Sequence, residues 1–340
     1  MGELRVIDFG VRSPLHSQTL WHAIAAGVSG GSPPTLSFVR SAGAYVSIGY
    51  HRRLDEVDRA YCQSQGFPVY RRMVGGGPVY VDADQFLFQI SLPVSAVSPV
   101  RATALRTLLE PAAAAFRAVG VSASLDADLE ICVDGHKVCG HGAGQIEDAV
   151  VVCGNLIERF DHARATRILS LSELAQRDMT FDLMRRYVEA TPLDAGEFRE
   201  AMVASYAQVL ELSAQRGELS QAELAALDEF DERFVSDEWL EGPYRPAGWS
   251  DAGRARQVKV RAGVWTLAAE HDGARVVAAV VDGTLDSVRV FDYEFEGSMS
   301  ELESALVGTS IDGVEMVLSE FGSFGCRLSE AFATVDRRRL

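Results

Sequence analysis

Three observations predict an α+β fold. Strand-like and helix-like segments are mixed without regular βαβ alternation, glycine turns join several strands directly to one another, and a long helical tract precedes a second run of strands. At 340 residues and 47% hydrophobic content, the chain is long enough for two domains and apolar enough for a real core.

Within residues 16–27, Leu20, Trp21, Ile24 and Ala25 recur at helical spacing, and Gly30-Gly31-Ser32-Pro33-Pro34 ends that helix in a turn. Residues 35–39 and 44–48 are short β-prone runs, 57–65 reads as a helix, and 68–72 leads as a strand into Gly75-Gly76-Gly77. Residues 78–92 predict one long strand region with Phe86, Phe88 and Ile90 on one face. The amphipathic pattern of 102–119 predicts a helix, after which 128–133, 137–139 and 149–157 predict strands joined by glycine turns. From 170 to 239 the pattern is almost entirely helical, broken at Thr191-Pro192 and Gly217. The stretch Gly242-Pro243-Tyr244-Arg245-Pro246-Ala247-Gly248 is the linker candidate. Beyond it, 255–262, 264–270, 274–282 and 287–293 predict strands with an Asp272-Gly273 hairpin signal, and two helical patterns follow. The expected organisation is therefore one domain over residues 1–248, mainly helical over 170–240, and a small α+β domain over 249–340.

Composition narrows the class of function. A net charge of −16 argues against a reader of phosphate backbones, so no nucleic-acid partner is expected. The five cysteines, Cys62, Cys132, Cys139, Cys153 and Cys326, form an odd set without CxxC spacing and suggest neither a zinc ribbon nor a disulfide framework. The first residues carry charges where a signal peptide needs an apolar core, and no stretch reaches the roughly 18 apolar residues of a membrane span. A cytoplasmic protein without a membrane partner is expected.

Two segments carry the chemistry. In Arg71-Arg72-Met73-Val74-Gly75-Gly76-Gly77-Pro78-Val79-Tyr80, consecutive glycines after a strand can expose backbone N–H groups as an anion nest, with adjacent arginines able to fork onto phosphate. The run is neither a Walker A nor a GxGxxG motif, and a flexible glycine hairpin explains it equally well. The second segment is Asp134-Gly135-His136-Lys137-Val138-Cys139-Gly140-His141-Gly142. Thirty of the 32 basic residues are arginine, and Lys137 is one of only two lysines, the other being Lys259. A compact ammonium between glycines suits a point contact with carboxylate or phosphate oxygens, although a lone hairpin lysine is more often merely solvated. Together the segments supply the parts of a cleft that holds a phosphate-containing ligand against backbone.

The runs RRMVGGGPVYVD and, about fifty residues later, DLEICVDGHKVCGHG resemble the lipoate-protein ligases of the biotin/lipoate ligase superfamily, whose patterns are close to RRxxGGGxVxHD and (N)DLxVxGxKxSGSA. Val46 to His51 and Cys153-Gly154-Asn155-Leu156 extend the likeness, and residues 255–340 resemble the family's accessory domain. The resemblance implies two half-reactions: lipoate or octanoate reacts with ATP to give an acyl adenylate, which then acylates a lysine of a lipoyl-carrier domain. It assigns Lys137 to the acid's carboxyl oxygens and the α-phosphate. Arg71, Arg72, Gly75, Gly76, Gly77, Pro78, Val79 and Tyr80, with Gly140, His141 and Gly142, match the substrate- and nucleotide-binding stretches. Asp128 matches an acidic position that would help hold Mg²⁺, although a surface carboxylate at a strand start accounts for it as well.

Several positions depart from the pattern. Val81 stands for the family's histidine, Ala127 for the asparagine before Asp128, and Cys139, His141 and Cys153 for serine, serine and histidine. Cys139 beside Lys137 raises the alternative of an ATP-independent octanoyl or lipoyl transferase working through a thioester. In the octanoyltransferases of this group the thiol stands roughly fifteen residues before the lysine, where this chain has Ser122. A further alternative is a non-catalytic binder of lipoate or lipoyl domains.

Overall fold

The computed structural model describes residues 2–242, 255–292 and 297–337. The expected linker over 243–248, the boundary at 248/249 and Tyr293 at the end of a predicted strand lie outside the described residues. Two compact units divide the chain, Met1–Leu169 with Glu189–Arg245, and Ser170–Val188 with Pro246–Leu340.

In chain order the first unit opens with β1 (Gly2–Arg12), α1 (Pro14–Ser29), β2 (Thr35–Ser41), β3 (Tyr45–Ile48), α2 (Arg59–Gln65), β4 (Val69–Arg71), β5 (Val79–Val81) and β6 (Gln85–Pro93). There follow α3 (Arg101–Ala118), β7 (Ser124–Leu125), β8 (Ile131–Val133), β9 (His136–Cys139), β10 (His141–Ile146), β11 (Ala149–Ile157) and α4 (His162–Arg167). After α5 (Leu174–Tyr187), which belongs to the second unit, come α6 (Ala195–Leu210), β12 (Leu212–Arg216), α7 (Gln221–Phe234) and α8 (Asp237–Glu241).

A six-stranded sheet in the order β10-β11-β6-β2-β1-β12 is the frame, with β1 parallel to both β2 and β12 and the remaining pairs antiparallel. Alternation along its strands splits the core in two. Phe86, Phe88, Ile90 and Leu92 of β6, as the sequence predicts, share one cluster with Leu36, Phe38, Val152, Leu109 and Phe116 of α3, and Phe198 and Met202 of α6. Val39, Leu87 and Val151 share the other with Trp21 and Ile24 of α1 and Leu227 and Phe230 of α7. Each fully buried aromatic or aliphatic side chain contributes about 1.5–3 kcal/mol over its exposed state, and the Phe116–Phe198 ring pair at 4.7 Å joins α3 to α6.

Four of the departures from expectation have a plain physical reason. The single strand region over 78–92 is two strands, because the Asp82 carboxylate accepts the Asp84 N–H at 3.1 Å and turns the chain between them. β5 then pairs with β3, while β6 joins the large sheet. Residues 212–216, expected to be helical, form the edge strand β12: Glu211 adopts φ 54° and ends α6, and Gly2↔Leu212 through Val6↔Arg216 pair in parallel. β1 and the glycine-rich β10 escaped the sequence pattern, since tertiary pairing rather than propensity makes them strands.

The second unit is an antiparallel meander of β13 (Arg256–Arg261), β14 (Val264–His271), β15 (Ala274–Val281) and β16 (Thr284–Phe291), with α9 (Met299–Leu306), α10 (Val314–Leu318) and α11 (Gly322–Ala333). Asp272 and Gly273, at φ 48° and 78°, make the predicted two-residue turn between β14 and β15. Residues 170–188, expected in the first domain, group with this unit, where Gln176 donates to the Arg256 carbonyl at 2.9 Å and the Thr180 and Thr266 hydroxyls lie 2.8 Å apart.

Candidate functional site

The glycine loop after β4 is built by the arginines that precede it. Arg71 is 1% exposed, and its guanidinium donates to the carbonyls of Gly49, Tyr50 and Arg52 at 3.1, 3.0 and 2.7 Å, and twice to Leu240 at 3.0 and 2.8 Å. Those five hydrogen bonds turn the group inward onto backbone carbonyls. Arg72 is likewise buried, donating to the carbonyls of Ser47 at 2.7 Å, Gly75 at 3.0 and 2.8 Å and Gly77 at 2.9 Å. Burial lowers its pKa to about 10, so it keeps its positive charge at neutral pH beneath the loop.

Turning the Gly75 carbonyl toward Arg72 has a consequence for the loop's other face. In a trans peptide the C=O and the following N–H point in opposite directions, so the Gly76 N–H is aimed away from the guanidinium. Gly76 holds φ 100°, and a Cβ on Gly49 would meet the Gly76 oxygen at 2.0 Å, which explains glycine at both positions. Gly76, Gly77 and Val79 are exposed and Pro78 is half-buried. Tyr80 is not accessible in the same way: its ring packs 5.5 Å from Phe67, its hydroxyl accepts from Arg164 at 3.3 Å, and burial pushes the phenol up to about 12.

A histidine that the sequence reading passed over anchors the loop from below. His22 is fully buried on α1; its Nε2 accepts the Met73 N–H at 3.1 Å, which leaves Nδ1–H to donate to the Gln18 carbonyl at 2.7 Å. Burial holds its pKa down at about 3, so the ring is neutral.

The second motif lies directly against the first. Asp134 and Gly135, at φ 47° and 80°, turn β8 into β9 and place Cys132 opposite Lys137. The Lys137 ammonium donates to Glu130 Oε1 at 3.2 Å, with only 15% and 4% of the two side chains exposed. Beyond it, a Cβ on Gly142 would come 3.5 Å from the Gly75 oxygen and one on Gly144 would come 2.9 Å from Val74. The glycine loop thus rests on β10, the strand that continues from the lysine strand, and His141 opens β10 as a half-buried residue.

Asp128, the expected metal ligand, sits exposed at the tip of the β7–β8 turn, its N–H bonded to the Asp126 carboxylate at 2.9 Å. Among the described residues no group of three or more His, Cys, Asp or Glu side chains is arranged to hold a metal. The acidic side chain beside Lys137 is Glu130, and the sequence did carry a signal for it. Counting back across the Asp134-Gly135 turn pairs Cys132 with Lys137, and period two then puts Glu130 on the same side.

The family model for the lipoyl protein ligase A/B catalytic domain matches residues 13–206, more than half of the chain. The chain belongs to the lipoyl protein ligase A/B family. Among this family member's relatives, Octanoyltransferase LipM of an Exiguobacterium species is 23% identical over 267 residues, spanning 67% of this chain and 94% of the relative. Lipoate–protein ligase 1 of Staphylococcus aureus is 23% identical over 296 residues, spanning 84% and 83%. In fold, the chain is similar to a bipartite lipoate protein ligase from Thermoplasma acidophilum, solved in a study with its E2 lipoyl domain, at TM-score 0.66 and 22% identity over 73% of this chain and all of that one. A structure of lipoate-protein ligase A bound with ATP matches at TM-score 0.58 and 21% identity, covering 71% and 99%.

Because the relatives include both a ligase and an octanoyltransferase, the state of the cysteines matters. Cys139 is wholly buried in the core cluster of α3 and α6, and burial pushes its thiol up to about 12. Its side chain packs in the core, its Sγ 3.4 Å from the Gly140 carbonyl oxygen. Cys153, the substituted position on β11, donates to the Gly142 carbonyl at 3.4 Å, and its thiol is also raised by burial.

Proposed function

We propose that the chain is an ATP-dependent lipoate-protein ligase that activates lipoate or octanoate as an acyl adenylate and transfers it to a lysine of a lipoyl-carrier domain. The observation that carries this reading is the packing of the glycine loop on β10, the strand that continues from the lysine strand, with the Gly76 N–H turned away from Arg72 and the Lys137 ammonium held by Glu130. The acid's carboxylate oxygen attacks the α-phosphorus of ATP and pyrophosphate leaves; the acceptor amine then attacks the acyl carbon, AMP leaves and the amine loses a proton. Lys137 stabilises the charge that accumulates where carboxylate and phosphate meet, a preorganised electrostatic role. The residues present fit a nucleotide: an exposed, side-chain-free loop at Gly76 and Gly77, with the Arg72 cation beneath it, accepts phosphate against backbone.

Mg²⁺, which takes one or two carboxylates and completes its shell with phosphate oxygens and water, would be held by Glu130 in preference to the exposed Asp128. When bound it would neutralise phosphate charge. The buried Cys139 and the serine at position 122 support the adenylate route over thioester transfer. Five free thiols among the described residues support action in the reducing cytoplasm.

The test is to incubate the protein with lipoate, ATP and Mg²⁺ and to look for lipoyl-AMP and pyrophosphate by mass spectrometry. Omitting ATP and supplying an octanoyl-carrier thioester tests the transferase, whose signature is an ATP-independent acylated acceptor. Uptake of lipoate with no product under either condition marks a binder.

A further inference from the structure

The two motifs meet through a side-chain relay that neither contains. Asn155 of β11 accepts the Gly140 N–H on Oδ1 at 2.7 Å, while its own N–H donates to the Gly140 carbonyl at 3.2 Å. Its Nδ2 donates to Gln85 Oε1 at 2.8 Å, and Gln85 Nε2 donates in turn to the Tyr80 carbonyl at 3.2 Å. The direction of the chain is fixed at both ends. A backbone N–H can only donate and a carbonyl can only accept, so the amide oxygens of Asn155 and Gln85 must face Gly140 and Asn155 respectively. Gln85 is 2% exposed, so its amide has little water to fall back on if the relay breaks.

Gly140 lies three residues after Lys137 and Tyr80 three after Gly77, so the relay ties the end of the lysine strand to the end of the glycine loop. Close packing adds to it: a Cβ on Gly140 would be 3.3 Å from Asn155 Oδ1.

We infer that Asn155, through Gln85, is a positioning residue that sets the place of Lys137 relative to the glycine loop. The inference rests on the ligase reading above. Neither side chain is required to touch substrate; the pair acts on rate by holding the ammonium where the carboxylate and the α-phosphate meet. Misplacement of a catalytic group by about 1 Å can cost on the order of 10²-fold.

The experiment uses the full chain and lipoate-dependent ATP–pyrophosphate exchange, with thermal melting in parallel, for wild type, Asn155→Ala, Asn155→Asp, Lys137→Ala and Lys137→Ala/Asn155→Ala. Exchange absent from the wild type overturns the ligase reading itself; exchange present makes the variants informative about the relay alone. Asn155→Ala should lower kcat by about 10–100-fold while shifting the KM for ATP by less than about threefold and the melting temperature by only a few degrees. Asn155→Asp, which still accepts from Gly140 but as a carboxylate no longer donates to Gln85, should fall between the two. In the Lys137→Ala background the Asn155 change should add little, because the group it positions is gone. Unchanged kcat in Asn155→Ala, a loss that follows melting temperature alone, or a full additive loss without Lys137 each overturns the proposal.

Discussion

Lys137 Nζ lies 3.2 Å from Glu130 Oε1, and both side chains are largely withdrawn from water. A partner at this distance in a low-dielectric setting orients the ammonium before any substrate arrives. On the proposed ligase reading it also places a carboxylate beside the incoming phosphate, a repulsion that a divalent cation would relieve. Glu130→Gln should therefore raise the Mg²⁺ concentration needed for half-maximal adenylate formation by about 10–100-fold, whereas Asp128→Asn at the exposed turn should leave it unchanged. A Mg²⁺ titration of both variants decides between the two carboxylates, and the reverse ranking would restore Asp128.

Replacing the buried thiol makes a different point. Cys139→Ala removes one sulfur from a packed core and should cost about 1 kcal/mol of stability while keeping adenylate formation and acceptor acylation within about threefold of wild type. Acylation lost in Cys139→Ala, or a thioester found on Cys139 in the wild type, would show that the thiol takes part in the chemistry.

The glycine loop offers a contrast between two glycines. A Cβ at Gly49 would meet the Gly76 oxygen at 2.0 Å, backbone against backbone, with nothing free to swing aside. Gly49→Ala should thus destabilise by about 1–3 kcal/mol, read by denaturant unfolding. At Gly77 nothing lies within 4 Å of an added Cβ. Gly77→Ala should keep its unfolding midpoint but weaken ATP binding measured by calorimetry, because the added methyl stands where the ligand approaches; unchanged affinity would remove this stretch of backbone from the site.

His22 predicts how stability depends on pH. An unfolded imidazole takes up its proton as pH falls through its ordinary value of 6.5, whereas the buried ring resists protonation until about 3. Unfolding therefore binds a proton across that window, so the His22 contribution is constant above about pH 7.5 and is lost as pH falls from 6.5 toward 3, by roughly 3 kcal/mol at about pH 4.5. His22→Gln, which keeps an amide near Met73 but does not titrate, should show a shallower loss of stability over this range. An equal slope in both proteins would refute the assignment.

Much of the fold was legible because burial imposes period. Phe86, Phe88 and Ile90 fall on one face of β6 as alternation requires, and the Asp272-Gly273 turn takes the positive φ that its residues favour. β12 and β10 were hidden because a polar edge strand and a glycine-rich strand have no apolar alternation, and partners far along the chain make them strands. In the site, Lys137 and the glycine loop stood out by residue type and spacing. The inward turn of Arg71 was not visible, since an arginine reads alike whether it meets phosphate or carbonyls. Asn155 and Gln85 were hidden for a related reason: their importance lies in hydrogen bonds between strands distant in sequence.

The most direct measurement is ATP–pyrophosphate exchange with purified full-length protein in the presence and absence of lipoate, for wild type and Lys137→Ala. Exchange that requires lipoate and falls by about 10²-fold or more in Lys137→Ala is the predicted result. Absence of lipoate-dependent exchange in the wild type, or exchange at the wild-type rate in Lys137→Ala, would contradict the account.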